Sequence, residues 1–142
     1  MVRMLWGLVL TALTLPGCHG GSEHALGTAK DRLVKIGRAY LDATDHLGRP
    51  PQGFSEIRPY FYGEVDEAVT RSPNDGEEFV VLWGVDYNTL PLTRENPFTV
   101  AAYEKHGDGG KRYVLRIPTQ VLLMSDAELA KAVFPPGHQP PQ

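Results

Sequence analysis

Hydrophobic residues in the segment 26–47 recur at alternating spacings of three and four positions, which aligns them along one side of a helix. The stripe comprises Leu26, Ala29, Leu33, Ile36, Tyr40, Ala43 and Leu47. On the charged opposite side, Asp31 and Lys35 have the i,i+4 spacing of a stabilising pair. The pattern predicts an amphipathic helix that ends before Pro50, because a residue that precedes proline disfavours the helical conformation. Gly37 weakens its interior, which the close approach of a strand or a helix crossing would explain.

Short helical turns are predicted between this helix and the rest of the fold. Residues 52–62 place Phe54, Ile57 and Phe61 at helical spacing, but Pro59 interrupts them, so this segment forms one or two turns of helix with its apolar residues inward. Residues 64–70 add another short turn. The sequence of residues 72–76, Ser-Pro-Asn-Asp-Gly, is typical of a turn that precedes a strand.

Four further segments and a hairpin loop predict the sheet. Residues 78–83 form a continuous β-rich run, which indicates burial on both faces and therefore a central strand. Residues 98–104 alternate, with Phe98, Val100 and Ala102 on one face and Tyr103 on the other. The glycine-rich segment 106–110 is a hairpin loop that leads into a strand at 112–117. A turn at Pro118 and Thr119 then leads into a returning strand at 120–124.

These elements predict an α+β fold: an N-terminal amphipathic helix packed on an antiparallel sheet of three or four strands. The chain closes with a short helix, because Ser125 and Glu128 have the spacing of a capping box. That helix is expected to reach Val133.

The first residues have the form of an export signal. Arg3 supplies the positive start, residues 5–15 are an apolar segment too short to cross a bilayer comfortably, and Gly17 is the small residue expected before a cleavage site. The sequence Leu-Pro-Gly-Cys at 15–18 resembles the lipobox of bacterial lipoproteins, in which the cysteine is lipidated. We therefore predict lipidation of Cys18. An ordinary secretory signal and an uncut signal that anchors the chain are the alternatives.

The chain accordingly divides into four parts. Residues 1–17 are the predicted lipoprotein signal peptide, 18–25 a flexible tether, 26–134 a single α+β domain and 135–142 a proline-rich tail. Since Cys18 is the only cysteine, no disulfide can form within the chain, and the domain depends on its hydrophobic core.

The charge of the chain argues against a nucleic-acid partner. The formal net charge is −3, and no basic cluster exceeds the pair Lys111 and Arg112. A surface that binds a phosphate backbone needs more positive charge than this sequence provides.

The order of elements resembles the globular domain of type II pseudopilins, and most closely the bacterial family with a prepilin-type start and a globular domain of unknown function. The similar segments are residues 33–40, 45–51, 109–115 and the apolar strand at 121–124. Two features differ from that family. A lipobox replaces the hydrophobic helix with its glutamate, and Pro118-Thr119-Gln120 replaces the usual Asp-Gly-Ser turn. The resemblance implies the fold, whereas the lipobox argues against a filament subunit.

Asp42, Asp45 and His46 are the best candidate metal ligands in the sequence. Asp42 and His46 lie at i,i+4 and can share a helix face. The competing explanation is structural, because a histidine near the C-terminus of a helix and solvated aspartates are favourable without any metal. The loop residues Asp75, Asp86 and Asp108 are candidate calcium ligands, but they do not match a calcium-loop spacing.

Other chemistry finds little support in the sequence. It contains no Gly-x-Ser-x-Gly, Ser-x-x-Lys or His-Glu-x-x-His motif, so no catalytic residue is assigned. The adjacent carboxylates at 66–67 and 77–78 point apart on regular elements, and solvation explains them. Trp83, Tyr87 and Tyr103 are expected in the core, with a binding surface as the alternative.

The sequence therefore predicts a lipid-anchored cell-envelope protein whose domain faces the periplasm or the exterior. We expect a non-enzymatic protein-interaction or structural module without a cofactor. Its predicted partners are the membrane, through Cys18, and an envelope protein. The alternatives are a metal-dependent, calcium-type binding module or enzyme, and an accessory subunit of a secretion or pilus-like assembly.

Overall fold

A long helix lies across one face of an antiparallel sheet in the computed structural model, which describes residues 27–63, 67–91, 98–117 and 120–142. In chain order the helices are α1 (Ala29–Leu47), α2 (Phe54–Ile57) and α3 (Asp126–Leu129), with 3₁₀ turns at Arg58–Tyr60 and Glu67–Thr70. The strands are β1 (Val80–Val81), β2 (Thr99–Tyr103), β3 (Lys111–Ile117) and β4 (Gln120–Ser125). This arrangement confirms the predicted α+β class and, within the described residues, a sheet of four strands in the order β1-β2-β3-β4. The predicted signal peptide, Cys18, the tether and Leu26 lie outside the described residues, as does the turn at 118–119.

The boundaries of α1 follow from its caps. Thr28 and Asp31 form a capping box, since the Thr28 amide donates to Asp31 Oδ2 over 2.9 Å and the Asp31 amide donates back to Thr28 Oγ1. Asp31 therefore caps the helix, a role that the predicted pairing with Lys35 did not include. Gly48 ends the helix in the left-handed conformation, with φ of 65°. The predicted stripe is buried from Ala29 to Ala43, but Leu47 is 40% exposed.

Gly37 of α1 lies directly against Leu115 of the sheet. A Cβ atom at this position would lie 2.8 Å from Leu115 Cδ2, closer than such atoms approach in proteins. Leu115 belongs to β3 and is buried in the same core as Leu33, Ile36 and Tyr40. This contact confirms that strand approach explains the glycine in the helix interior.

The prediction of a central strand at 78–83 was wrong. Of this run, only Val80 and Val81 form strand β1, which lies at the edge of the sheet and pairs with β2. Burial on both faces has a different origin. Phe79 and Val81 pack against α1, whereas Leu82 and the half-buried Val80 pack on the other face. An apolar run indicates that other residues cover both faces of a strand, but it does not indicate whether the strand lies at the centre or at the edge of the sheet.

A bulge changes the facing pattern of β2. The register with β3 shifts between Val100 and Ala102. As a result, Ala101 and Ala102 both pack with the α1 core, and Val100 lies with Tyr103 on the opposite face. The predicted placement of Ala102 beside Val100 was therefore wrong, because a bulge inserts one residue and breaks strict alternation.

The second face of the sheet is covered by the C-terminal segment. The capping box at Ser125 and Glu128 is confirmed, but α3 ends at Leu129 and does not reach Val133. Leu129 is completely buried, and the main chain then returns so that Val133 O accepts from the Val100 amide over 2.9 Å. Pro135, which the sequence assigns to the tail, is also buried. Within the described residues, no helix combines the length and hydrophobicity needed to cross a membrane.

Candidate functional site

A groove of about 220 Å³ separates the last turns of α1 from the segment that follows α2. Its lining residues are Asp42, His46, Pro59, Tyr60, Phe61 and Tyr62. We call this feature the aromatic groove. The sequence predicted inward-facing apolar residues at 52–62, and it missed the groove. Three successive aromatic residues, 60–62, were the available signal, because one short turn cannot direct three adjacent rings into a core.

An ion pair fixes the loop that carries this segment. Arg49 donates to Glu56 through two bonds, Nη2 to Oε1 at 2.8 Å and Nη1 to Oε2 at 2.9 Å. The Gln52 amide adds a third bond to Oε2 at 3.0 Å. The hydrogen bonds from Arg49 and then from Gln52 lower the pKa of Glu56 to about 2. The corner at Pro50 and Pro51 is thereby held, which sets the second wall of the groove against α1.

Tyr62 is the most exposed large side chain at the groove, with 83% of its surface accessible. Its hydroxyl donates to Asp42 Oδ2 over 3.1 Å. This hydrogen bond, together with the negative charge of Asp42, raises the pKa of the Tyr62 phenol. The contact directs the ring across the groove while leaving it in solvent. A tyrosine in this position presents apolar area at a small cost in conformational entropy.

His46 forms the floor of the groove beside Tyr60. Its Nδ1–H donates to the main-chain O of Asp42 over 2.8 Å, which fixes the orientation of the imidazole. The ring centroids of His46 and Tyr60 lie 5.1 Å apart at 40°. The tilted contact gives the groove a second aromatic surface.

The structure does not bring Asp42, Asp45 and His46 together as metal ligands. Asp42 accepts from Tyr62, Asp45 Oδ1 accepts from Asn88 Nδ2 over 2.9 Å, and His46 is bound to the helix backbone. Across the described part of the chain, no group of three or more His, Cys, Asp or Glu side chains is arranged to hold a metal.

Two of the candidate calcium ligands organise loops. Asp75 Oδ2 accepts from the amides of His106 and Gly107, each at 2.9 Å, and Oδ1 accepts from the Glu77 amide. Burial alone would raise its pKa, but these three hydrogen bonds outweigh that effect and lower it. Asp86 Oδ1 accepts from the Asn88 amide at 3.0 Å. The backbone of the third candidate, Asp108, bridges to Lys111 in the hairpin loop.

A second cavity of about 320 Å³ adjoins the aromatic groove through Phe61. Its lining residues are Phe54, Ser55, Arg58, Phe61, Glu67, Val69, Thr70, Arg71 and Glu78. Two arginines and two glutamates balance in charge, and Arg58 lies 3.6 Å from Glu67. This balance gives the cavity no preference for a cation or an anion.

A buried polar cluster surrounds Glu104, which is completely buried at the end of β2. Its Oε1 accepts from Ser72 Oγ at 2.5 Å and from Asn74 Nδ2 at 2.8 Å, and its Oε2 accepts from the Tyr113 amide at 2.7 Å. Both carboxylate oxygens are therefore engaged, away from solvent. We assign the cluster a structural role, since it ties the turn at 72–76 to the sheet.

Of the three aromatic residues that the sequence placed in the core, two are buried and the third is half-buried. Tyr87 and Tyr103 are buried, and burial raises the pKa of each phenol. Trp83 is half-buried and stacks on Tyr40 with ring centroids 5.8 Å apart. Tyr40 in turn receives a hydrogen bond from the Val85 amide at 3.0 Å, and burial raises its pKa to about 12.

The carboxylates assigned to solvation contact exposed bases. Glu77 accepts from Lys105 over 3.3 Å, and Glu67 pairs with Arg58. Asp66 lies outside the described residues. Such exposed pairs contribute little to stability and carry no chemistry.

Comparison with known proteins provided no relative from which to transfer a function. No protein-family model, curated protein or solved structure matched the chain.

Proposed function

We propose that this protein is a lipid-anchored, non-enzymatic interaction module of the bacterial cell envelope, with a pseudopilin-like domain that binds a partner protein through the aromatic groove. The lipobox-like sequence at 15–18 and the single cysteine, Cys18, support the anchor. The order of helix, corner and antiparallel sheet supports the likeness to pseudopilin domains.

The exposed Tyr62 ring is the observation that carries the interaction proposal. Large aromatic side chains are enriched where proteins bind one another, because they bury much apolar area at one position. Asp42 holds the Tyr62 hydroxyl, and Asp42 O holds the His46 ring. The groove thus offers oriented aromatic surfaces, which suit recognition of an apolar segment of a partner better than they suit bond-breaking chemistry.

Site-specific photocrosslinking of the full chain in cells tests this proposal. A photoreactive phenylalanine at position 62 should form an adduct with one discrete envelope protein. The same group at the exposed Lys131, on the other side of the sheet, is the matched control and should not. His46→Ala should remove most of the adduct, because it takes away one aromatic wall without disturbing a buried residue.

The results that would contradict the proposal are specific. An absence of adduct at position 62, or the same adduct at position 131, would show that the groove is not the binding surface. Loss of the adduct on chelation would instead favour the metal-dependent alternative. Intact-mass measurement of the membrane-extracted chain checks the anchor separately, since cleavage and acylation at Cys18 change the mass in a defined way.

A further inference from the structure

Strand β4 forms the second edge of the sheet, and its outer side is free among the described residues. Within the described ranges, β4 pairs with β3 alone, through six residue pairs from Lys111 with Ser125 to Arg116 with Gln120. The opposite edge differs. There the segment before β1 is covered, because the Phe79 amide donates to Thr70 O and Arg71 forms a bridge with Glu78.

The sequence of β4 lacks the features that usually protect an edge. Gln-Val-Leu-Leu-Met-Ser contains no charge, proline or glycine. Natural edge strands normally carry a lysine, a proline or a bulge, because an unprotected edge pairs with other strands. Leu123, in the middle of β4, is 50% exposed and is one of three large hydrophobic residues exposed in the described part of the chain. An edge of this kind is suited to strand addition.

We propose that β4 binds the β4 strand of a second copy of this chain, antiparallel, around a two-fold axis at Leu123. A two-fold interface requires a surface that complements itself. In this register Leu123 of one copy faces Leu123 of the other. Leu122 faces Met124 of the second copy on the opposite side of the sheet, so at the three central positions apolar residues meet apolar residues.

The same register brings no excess of like charge together at the two ends of β4. Arg116 lies beside the Gln120 end, where its guanidinium binds Gln120 Oε1. Asp126 and Glu128, both exposed, lie at the Ser125 end in the first turn of α3. Antiparallel pairing brings the Gln120 end of each copy to the Ser125 end of the other. Lys111 and Arg112 of β3 also lie at the Ser125 end, and Arg112 pairs with Asp126, so acids and bases balance there and Arg116 of the second copy meets no excess of positive charge.

The interface is small, and the dimer is accordingly expected to be weak. A single strand pair buries less surface than a standard stable interface. Sedimentation of the full chain in density-matched detergent, over micromolar to millimolar concentrations, should show a reversible equilibrium between monomer and dimer. Leu123→Lys should abolish the dimer without unfolding the chain, because half of this side chain is already in solvent.

Disulfide crosslinking tests the register. In a Cys18→Ala background, Leu123→Cys should form a covalent dimer on mild oxidation, since directly opposed residues place their Cβ atoms within disulfide reach. Ser55→Cys, also exposed but remote from β4, is the matched control and should remain monomeric.

Three results would overturn the proposal. The first is a wild-type chain that stays monomeric at every concentration. The second is a dimer that Leu123→Lys leaves unchanged, or crosslinking no stronger at Leu123→Cys than at Ser55→Cys. The third is a Leu123→Cys chain that crosslinks in cells to a different protein and not to itself, which would assign the edge to another partner. None of these outcomes depends on position 62, so the aromatic groove is tested independently.

Discussion

Glu104 illustrates how one residue can be misjudged when its surroundings come from distant parts of the chain. In the sequence it is a charged residue at the end of a strand, where solvent exposure is the usual outcome. In the structure Ser72 and Asn74 reach it from a turn some thirty positions earlier, with sequence separations of 32 and 30, and Tyr113 reaches it from the next strand. No local pattern marks these donors. Burial of this carboxylate could therefore not be predicted.

Removal of Glu104 should be costly because three donors would be left without an acceptor. Glu104→Ala is expected to lower the free energy of unfolding by about 2–4 kcal/mol, since each buried unsatisfied polar group costs about 1–3 kcal/mol. Glu104→Gln should cost less, about 1–3 kcal/mol, because one amide oxygen still accepts while the NH₂ group faces a donor. Urea denaturation of both variants provides the measurement.

The exposed Glu78 supplies the control for this prediction. Glu78→Ala should change the free energy of unfolding by no more than about 0.5 kcal/mol, as surface substitutions usually do. If Glu104→Ala were equally mild, the cluster would not tie the turn at 72–76 to the sheet.

At the scale of elements, the sequence pattern predicted the helices and strands whose formation depends on residues close together in the chain. The helix α1, the capping box at Ser125 and Glu128 and the strands β3 and β4 follow from spacings within a few positions. The edge position of β1 and the bulge in β2 did not follow, because both depend on segments far away in the chain. Strand β1 pairs with residues 102–103, and its two faces pack against α1 and the C-terminal segment.

For the aromatic groove, the sequence identified the residues on the helix but not the residues that contact them. Asp42 and His46 were identified as neighbours on one helix face, and the structure places both in the groove. Their role was not identified, because Tyr62 and Tyr60 approach only after the corner at Pro50 has reversed the chain direction. Helical spacing identifies side chains that lie on the same face of α1, but the residues that contact this face are determined by the tertiary fold.

The fit of α1 on β3 can be tested at Gly37. Gly37→Ala favours the helix by about 1 kcal/mol through intrinsic propensity, whereas forcing a methyl group into a packed core costs about 1–3 kcal/mol. Since the added Cβ would lie 2.8 Å from buried Leu115, we expect the steric term to prevail and the free energy of unfolding to fall by about 1 kcal/mol.

A double-mutant cycle identifies the cause of that loss. Leu115→Ala alone should destabilise by about 2–5 kcal/mol, and the two changes together should cost less than their sum, because the methyl group at 37 then fills space that Leu115 occupied. Denaturant midpoints of the wild type, both single variants and the double variant measure the coupling. Additive effects would mean that Leu115 is not what makes glycine necessary at position 37.

At the scale of the whole molecule, four carboxylates hold two helix ends, a corner and a loop in place. Asp31 caps α1, Glu128 caps α3, Glu56 closes the corner with Arg49, and Asp75 joins the turn at 72–76 to the β2–β3 loop. Hydrogen bonds to each of these groups lower its pKa in the folded protein. Because the pKa of all four carboxyl groups is lowered by folding, the free energy of unfolding should depend on pH in the acidic range.

The sign of that dependence follows from proton linkage. A carboxylate whose pKa is lower in the folded state than in the unfolded state binds fewer protons when folded, so its stabilisation is complete above the unfolded pKa. It is lost as the pH falls through the folded pKa. For Glu56 this window extends from its ordinary value of 4.5 down to about 2. We therefore expect the free energy of unfolding to be level near neutral pH and to decline between about pH 4.5 and pH 2.

Asp75 should account for more of this decline than any of the other three carboxylates. Glu56 and Glu128 are open to water, which screens their interactions, whereas Asp75 is partly buried and holds three backbone amides. Asp75→Asn should lower the free energy of unfolding at pH 7 by about 1–2 kcal/mol and flatten its fall in acid. Asp108→Asn, at an exposed position of the neighbouring loop, is the matched control and should reproduce the wild-type profile. Urea denaturation at a series of pH values measures both. A wild-type profile that stays level down to pH 2, or an Asp75→Asn variant with the full wild-type slope, would mean that the backbone and the core, and not these carboxylates, hold the segments together.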